Sequence, residues 1–162
     1  MNAIVTALDG LITIQQQLIT CADNKKTALI ERSTDGLNAI TKEEKKLVKQ
    51  LEQAEEERMS VMESVLQDSA ATNFQTFLDT LPGGQEKQKL QSQLKTLQEL
   101  TAELQAKNSV NDRLLKDSMS FVQHMIDQIT KSQQPNFNYQ SPMGQGGQKS
   151  QTGNRGFFDT KA

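Results

Sequence analysis

Hydrophobic positions fall at helical intervals along most of the chain. Ile4, Leu8, Leu11, Leu18, Ala22 and Leu29 recur at spacings of three, four or seven. That is one stripe on a helix from about Ala3 to Arg32. The sequence STDG, Ser33 to Gly36, then breaks the helix and offers capping side chains. A second stripe, Leu37, Ile40, Leu47, Leu51, Ala54, Val61 and Val65, predicts a helix from about Asp35 to Ala70. TKEE, Thr41 to Glu44, matches a capping box and sets a competing start at Thr41. Glu55, Glu56 and Glu57 read as a solvated outer face.

The stretch TNFQTFLDTLPGG, Thr72 to Gly84, differs. Thr72 and Gln75 form another candidate capping box, and Phe74, Phe77, Leu78 and Leu81 give a two-turn helix one greasy side. Pro82, Gly83 and Gly84 stop it. Such a segment plugs the end of a bundle.

From about Gln85 to Lys131 the pattern becomes a heptad. Leu90, Leu94, Leu97, Thr101, Leu104, Asn108, Asn111, Leu115, Ser118, Val122, Met125 and Ile129 alternate spacings of four and three, the coiled-coil signature. Asn108 and Asn111 therefore fall on consecutive seam positions. A buried amide is costly unless paired, and in coiled coils it fixes the register. Gln15 and backbone carbonyls near the plug are candidate partners; a gap filled by water is the competing reading.

Three long helices with short joins must run up, down and up. The fold class is all-α: three antiparallel coiled-coil-like helices, a short plug helix and a flexible C-terminal tail. The bundle occupies 1–133 and the tail 134–162. At 1.5 Å per residue the helices span roughly 45, 54 and 70 Å, so the third overshoots by about a dozen residues. That overshoot, FVQHMIDQIT, carries Phe121, Val122, Met125, Ile126 and Ile129. An uncovered apolar strip marks a binding site, and methionine there adapts to varied partner shapes. Burial by self-association, such as a homodimer, or within the chain itself would compete for the same residues.

Composition sharpens this picture. Tryptophan is absent and net charge is only −2, which gives no electrostatic case for nucleic acid. The single cysteine, Cys21, forms no internal disulfide and suits a reducing cytosol. No apolar run approaches the roughly 20 residues of a membrane span, so no membrane insertion is expected. The N-terminus lacks a basic start and is interrupted by Asp9, which reads as helix rather than signal peptide. The tail holds two of the three prolines and five of the nine glycines, too little apolar surface to fold alone. Phe137, Tyr139, Phe157 and Phe158 nevertheless space it with aromatics, as in adhesive segments that hold partners; a solubilising tail is the plainer alternative.

Catalysis is not expected. The one histidine, His124, falls off the seam, Cys21 reads as packing, and no metal spacing, phosphate loop or nucleophile motif occurs. No metal or cofactor is implied.

The N-x-x-N-x-x-L-L of Asn108, Asn111, Leu114 and Leu115 resembles the hallmark of the FlgN family of flagellar export chaperones. So does its setting: two N-terminal helices, an FLDTLP-like element, then a long leucine-spaced helix. The closing FFDTKA after a Gly/Gln-rich tail is similar to Gram-positive members. The resemblance implies a cytoplasmic chaperone that binds the helical termini of the two hook-associated, hook–filament junction proteins. It would prevent their premature assembly and deliver them to the flagellar type III export gate. It also implies that clients bind the C-terminal portion; it transfers no binding role to Asn108 or Asn111. A structural coiled-coil scaffold acting by self-association is the alternative class.

Overall fold

The computed structural model describes residues 2–133, and these are helical almost throughout. Four helices follow in order: α1 (Asn2–Glu31), α2 (Thr34–Ser69), α3 (Phe74–Thr80) and α4 (Gln85–Gln133). The chain divides into two compact units, Met1–Val122 and Gln123–Ala162. The tail aromatics Phe137, Tyr139, Phe157 and Phe158 lie outside the described residues, as does the whole predicted tail.

The turn between α1 and α2 follows from its caps. Arg32 takes a left-handed φ of 55°. The amides of Ser33 and Arg32 then donate back to the carbonyls of Ala28 (3.0 Å) and Leu29 (3.3 Å), a Schellman closure. Ser33 opens α2, its hydroxyl accepting from the Gly36 amide at 3.1 Å. Helix α2 thus starts at Thr34, ahead of both predicted starts. Thr41 is no cap: its hydroxyl donates to the Leu37 carbonyl at 2.8 Å, one turn back inside the helix. Similarly, Asn73 rather than Thr72 caps α3, its carbonyl oxygen accepting from the Thr76 amide at 2.8 Å.

Every residue of the predicted α1 stripe is buried: Ile4, Leu8, Leu11, Leu18, Ala22 and Leu29. Helix α2 runs antiparallel along it. Cys21 and Leu18 cluster with Leu47, flanked by Ile40 and Leu51, and Lys25 pairs with Glu44 at 2.9 Å. Near the start of α1, Ile4 and Leu8 meet Leu78 of α3 and Leu90 of α4, with Val61 and Met62 of α2 packed alongside. Leu78 is 2% exposed and Phe77 6%, so α3 does plug that end of the bundle.

Helix α4 runs parallel to α1. Gln93 donates to the Val5 carbonyl (3.0 Å) and to Asp9 (2.5 Å), Gln15 bonds Thr101 (3.1 Å), and Asn111 donates to the Ala22 carbonyl (2.9 Å). The partners are separated by 84 to 89 residues throughout, as two helices of equal rise side by side require. The same register sets Glu31, the end of α1, opposite Leu115 to Ser120.

The predicted heptad holds at Leu90, Leu94 and Leu97, which are buried or half-buried; from Thr101 on it keeps its period but has the wrong second position. Leu100, Leu104, Lys107, Asn111, Leu114 and Ser118 are the buried or half-buried positions. Thr101, Asn108 and Leu115, each one residue later than its inward neighbour, are exposed. From a shared seam residue, a step of three turns a helix about 60° one way and a step of four about 40° the other. Helix α4 presents its three-step side to α1. Its four-step side, with Gln98, Thr101 and Gln105, lines a hollow that also takes in Glu55, Arg58 and Met62 of α2. Only Asn111 of the two asparagines is therefore a seam residue, and Gln15 pairs with Thr101 instead of either.

Candidate partner-binding strip

The apolar residues singled out near the end of α4 are exposed. In the first unit, Phe121 is 46% and Val122 54% exposed; in the second, Met125, Ile126 and Ile129 are 48, 51 and 53% exposed. Spacing on a helix explains which of them share a face. Within the second unit Met125 and Ile129 fall at i and i+4 with Ile126 beside them, neighbours on one side of the helix.

Two further residues extend the strip toward the N-terminus of α4. Leu115 and Met119 are 39% and 60% exposed and lie seven and three residues before Val122, on the same face. The heptad reading hid Leu115 by placing it in the seam. Met119 interrupts no pattern, and only its distance from the inward line Leu114–Ser118 identifies it. Ile30, on the last turn of α1, is 61% exposed; it stands outside the α1 stripe.

At the corner of α1 and α2, the Arg32 guanidinium stacks over the Phe121 ring, 4.8 Å from its centre. Phe121 is thus oriented while its remaining surface stays open. His124 is exposed.

The polar candidates separate cleanly. Asn111 is 3% exposed; its amide nitrogen is bonded, and its carbonyl oxygen meets no partner among the described residues. Asn108 is exposed. Gln93, 6% exposed, is a second buried amide on the same helix and also keeps a carbonyl oxygen unpaired. Nothing in the heptad pattern distinguishes it from its exposed glutamine neighbours.

Cys21 is buried. Burial pushes its thiol above the ordinary value, with the Glu44 carboxylate acting in the same direction, so it stays protonated and donates to the Ile40 carbonyl at 3.7 Å. Lys107 is held charged above its ordinary value chiefly by its hydrogen bond to Asp23. Among the described residues no group of His, Cys, Asp or Glu could hold a metal ion, and no helix is long and apolar enough to cross a membrane.

Comparison with known proteins gives this arrangement its context. The sequence profile of the FlgN protein family matches residues 1–146, nearly the whole chain. The chain belongs to the FlgN family. Its relatives include the "Uncharacterized protein YvyG" of Bacillus subtilis (strain 168), 26% identical over 138 residues, a match covering 85% of each chain. No solved structure matches. Membership places the chain among flagellar export chaperones, a family of binding proteins rather than enzymes.

Proposed function

We propose that this protein is the cytoplasmic chaperone of the hook–filament junction proteins. It holds the helical termini of these hook-associated proteins, prevents their premature assembly and delivers them to the type III export gate. The observation that carries this reading is the exposed apolar strip on α4, running from Phe121 and Val122 through Met125, Ile126 and Ile129, in a chain of the FlgN family.

The capture is helix against helix. A client offers an amphipathic helix whose apolar face packs on the strip. The thioether of Met125 adjusts to clients of different shape. Ordering a disordered client terminus costs free energy, which holds the affinity at a moderate level and suits release at the gate. Phe137, Tyr139, Phe157 and Phe158 of the tail either clamp the client or contact the gate. Truncation after Gln134 separates these roles: retained client binding with lost export assigns the tail to the gate.

A second reading uses the same strip for self-association into a homodimer or a coiled-coil scaffold, because its spacing alternates three and four like a seam. Co-purification of the full chain with each hook-associated protein, combined with light scattering of the free chain, decides between them. A stoichiometric complex from a free monomer supports the chaperone. A stable high-order assembly that ignores those clients supports the scaffold.

A further inference from the structure

A surface in the first unit, separate from the strip, fits a partner of definite charge. Two adjoining hollows open beside α2. One, of about 450 Å³, has Leu8 and Leu11 of α1 at its floor, Met62 of α2 and Leu97 of α4 at its sides, and Phe74 of α3 among its lining residues. The other, of about 820 Å³, continues along α2 past Met59 and Leu66 to Ala71 and Thr72. Arg58 and Met62 line both. The floor is leucine and methionine, chemistry suited to the apolar face of another helix. From Glu55 to Gln67 the trough follows α2 for about 18 Å, and it reaches past the end of that helix to Thr72, room for a helix of about four turns. Three long helices leave open the place that a fourth takes in a complete bundle.

The rim says what kind of helix. Carboxylates dominate the α2 edge: Glu55, Glu56 and Glu63 line the hollows, against one cation, Arg58. Arg58 is already taken, its Nε donating to Glu55 at 2.7 Å. Glu56 and Glu63 make no ion pair with any described residue. The α4 edge is neutral, with Gln98, Thr101 and Gln105. An acidic helix would meet like charge along one whole side, whereas lysines or arginines flanking an apolar stripe would be steered in and held.

We propose that this trough docks a basic amphipathic helix of a partner protein, its apolar face on Met59, Met62 and Leu97 and its cations against Glu56 and Glu63. This second site neither uses nor requires the α4 strip.

The test is fluorescence anisotropy of the full chain with two labelled peptides of about four helical turns. One is an amphipathic Leu/Lys helix and the other its Leu/Glu counterpart. The basic peptide binds, weakens as salt rises, and loses about tenfold or more in affinity in the Glu56→Lys/Glu63→Lys variant, about 1.4 kcal/mol per tenfold. Met59→Asp, at a side chain 62% exposed in the folded protein, gives a similar loss. Glu43→Lys, a control far along α2, leaves binding unchanged. The acidic peptide does not bind.

Five results would overturn the proposal. The basic peptide fails to bind, it binds the Glu56→Lys/Glu63→Lys variant as well as the parent, or Glu43→Lys weakens it equally. Alternatively, sedimentation shows a dimer that Glu56→Lys/Glu63→Lys dissociates, which would give the trough to a second copy. Binding that emerges only after removal of residues 134–162 would likewise assign the trough to this chain's own terminus.

Discussion

The guanidinium of Arg32 lies 4.8 Å from the centre of the Phe121 ring, so the left-handed residue that ends α1 also holds the first aromatic of the α4 strip. Two opposed effects meet there. A non-glycine residue at φ 55° carries a backbone penalty of roughly 1 to 2 kcal/mol. The cation over the ring returns about 0.5 to 1 kcal/mol at an exposed site. Arg32→Gly should therefore leave stability unchanged or raise it by about 1 kcal/mol, and Phe121→Ala should lower it by about 0.5 to 1 kcal/mol. In urea denaturation, the gain from Arg32→Gly should be larger in the Phe121→Ala background. Equal gains in both backgrounds would mean that the stacking contributes nothing.

Asn111 and Asn108 look alike in sequence and should behave differently. Asn111→Ala removes a buried hydrogen bond to the Ala22 carbonyl and opens a gap, at a cost of about 1 to 2 kcal/mol. Asn108→Ala, on the exposed side, changes a position where alanine is the better helix former, so it should be neutral or gain up to about 0.7 kcal/mol. Thermal melts followed by circular dichroism read both. Equal losses would restore the reading that both asparagines face inward.

Two helix-interior glycines separate local propensity from capping. A Cβ on Gly10 meets nothing within 4 Å, so Gly10→Ala should stabilise by about 0.5 to 1 kcal/mol. A Cβ on Gly36 would come within 2.7 Å of the Ser33 hydroxyl, which caps α2. Gly36→Ala turns that hydroxyl away, and losing a cap costs about 1 kcal/mol. Propensity and cap then cancel, so Gly36→Ala should give none of the benefit seen at Gly10. A matched gain at both positions in chemical denaturation would show that the Ser33 cap contributes little.

Cys21 is buried with its thiol pushed above the ordinary value. The folded state therefore favours the protonated thiol. Its contribution is fully present below the ordinary thiol range and is lost as pH rises through the folded value. In native protein the thiol should resist alkylation at neutral pH and react fully in denaturant. Rapid native labelling, followed by mass spectrometry, would place Cys21 in a more open setting.

Much of this fold was legible because burial leaves a periodic trace. Ile4 to Leu29 on α1 had one face and one partner side, so their spacing alone identified the core. Helix α4 had two sides that satisfy the same seven-residue repeat. Leu114 and Leu115 are chemically identical, and only the neighbour that α4 packs against decides which turns inward. Gln93 was invisible for a related reason: a glutamine in a glutamine-rich helix signals burial only through its partners, Val5 and Asp9. The starts of α2 and α3 were missed by one to several residues because Ser33 and Thr41, or Thr72 and Asn73, offer equivalent cap chemistry. Of the strip, the exposed residues Phe121 to Ile129 were legible from helix lengths, whereas Leu115 and Met119 needed the register of α4 on α1.

The central claim is that the strip on α4 captures the client. Its most direct test is titration of a purified hook-associated protein with the parent chain and with Val122→Asp/Ile126→Asp, followed by calorimetry, with helicity checked by circular dichroism. These two positions are 54% and 51% exposed, so the variant should fold with undiminished helicity. The account predicts a complex with the parent and a loss of at least about 100-fold in affinity, about 2.8 kcal/mol, in the variant. A folded variant that binds the client as tightly as the parent would contradict it.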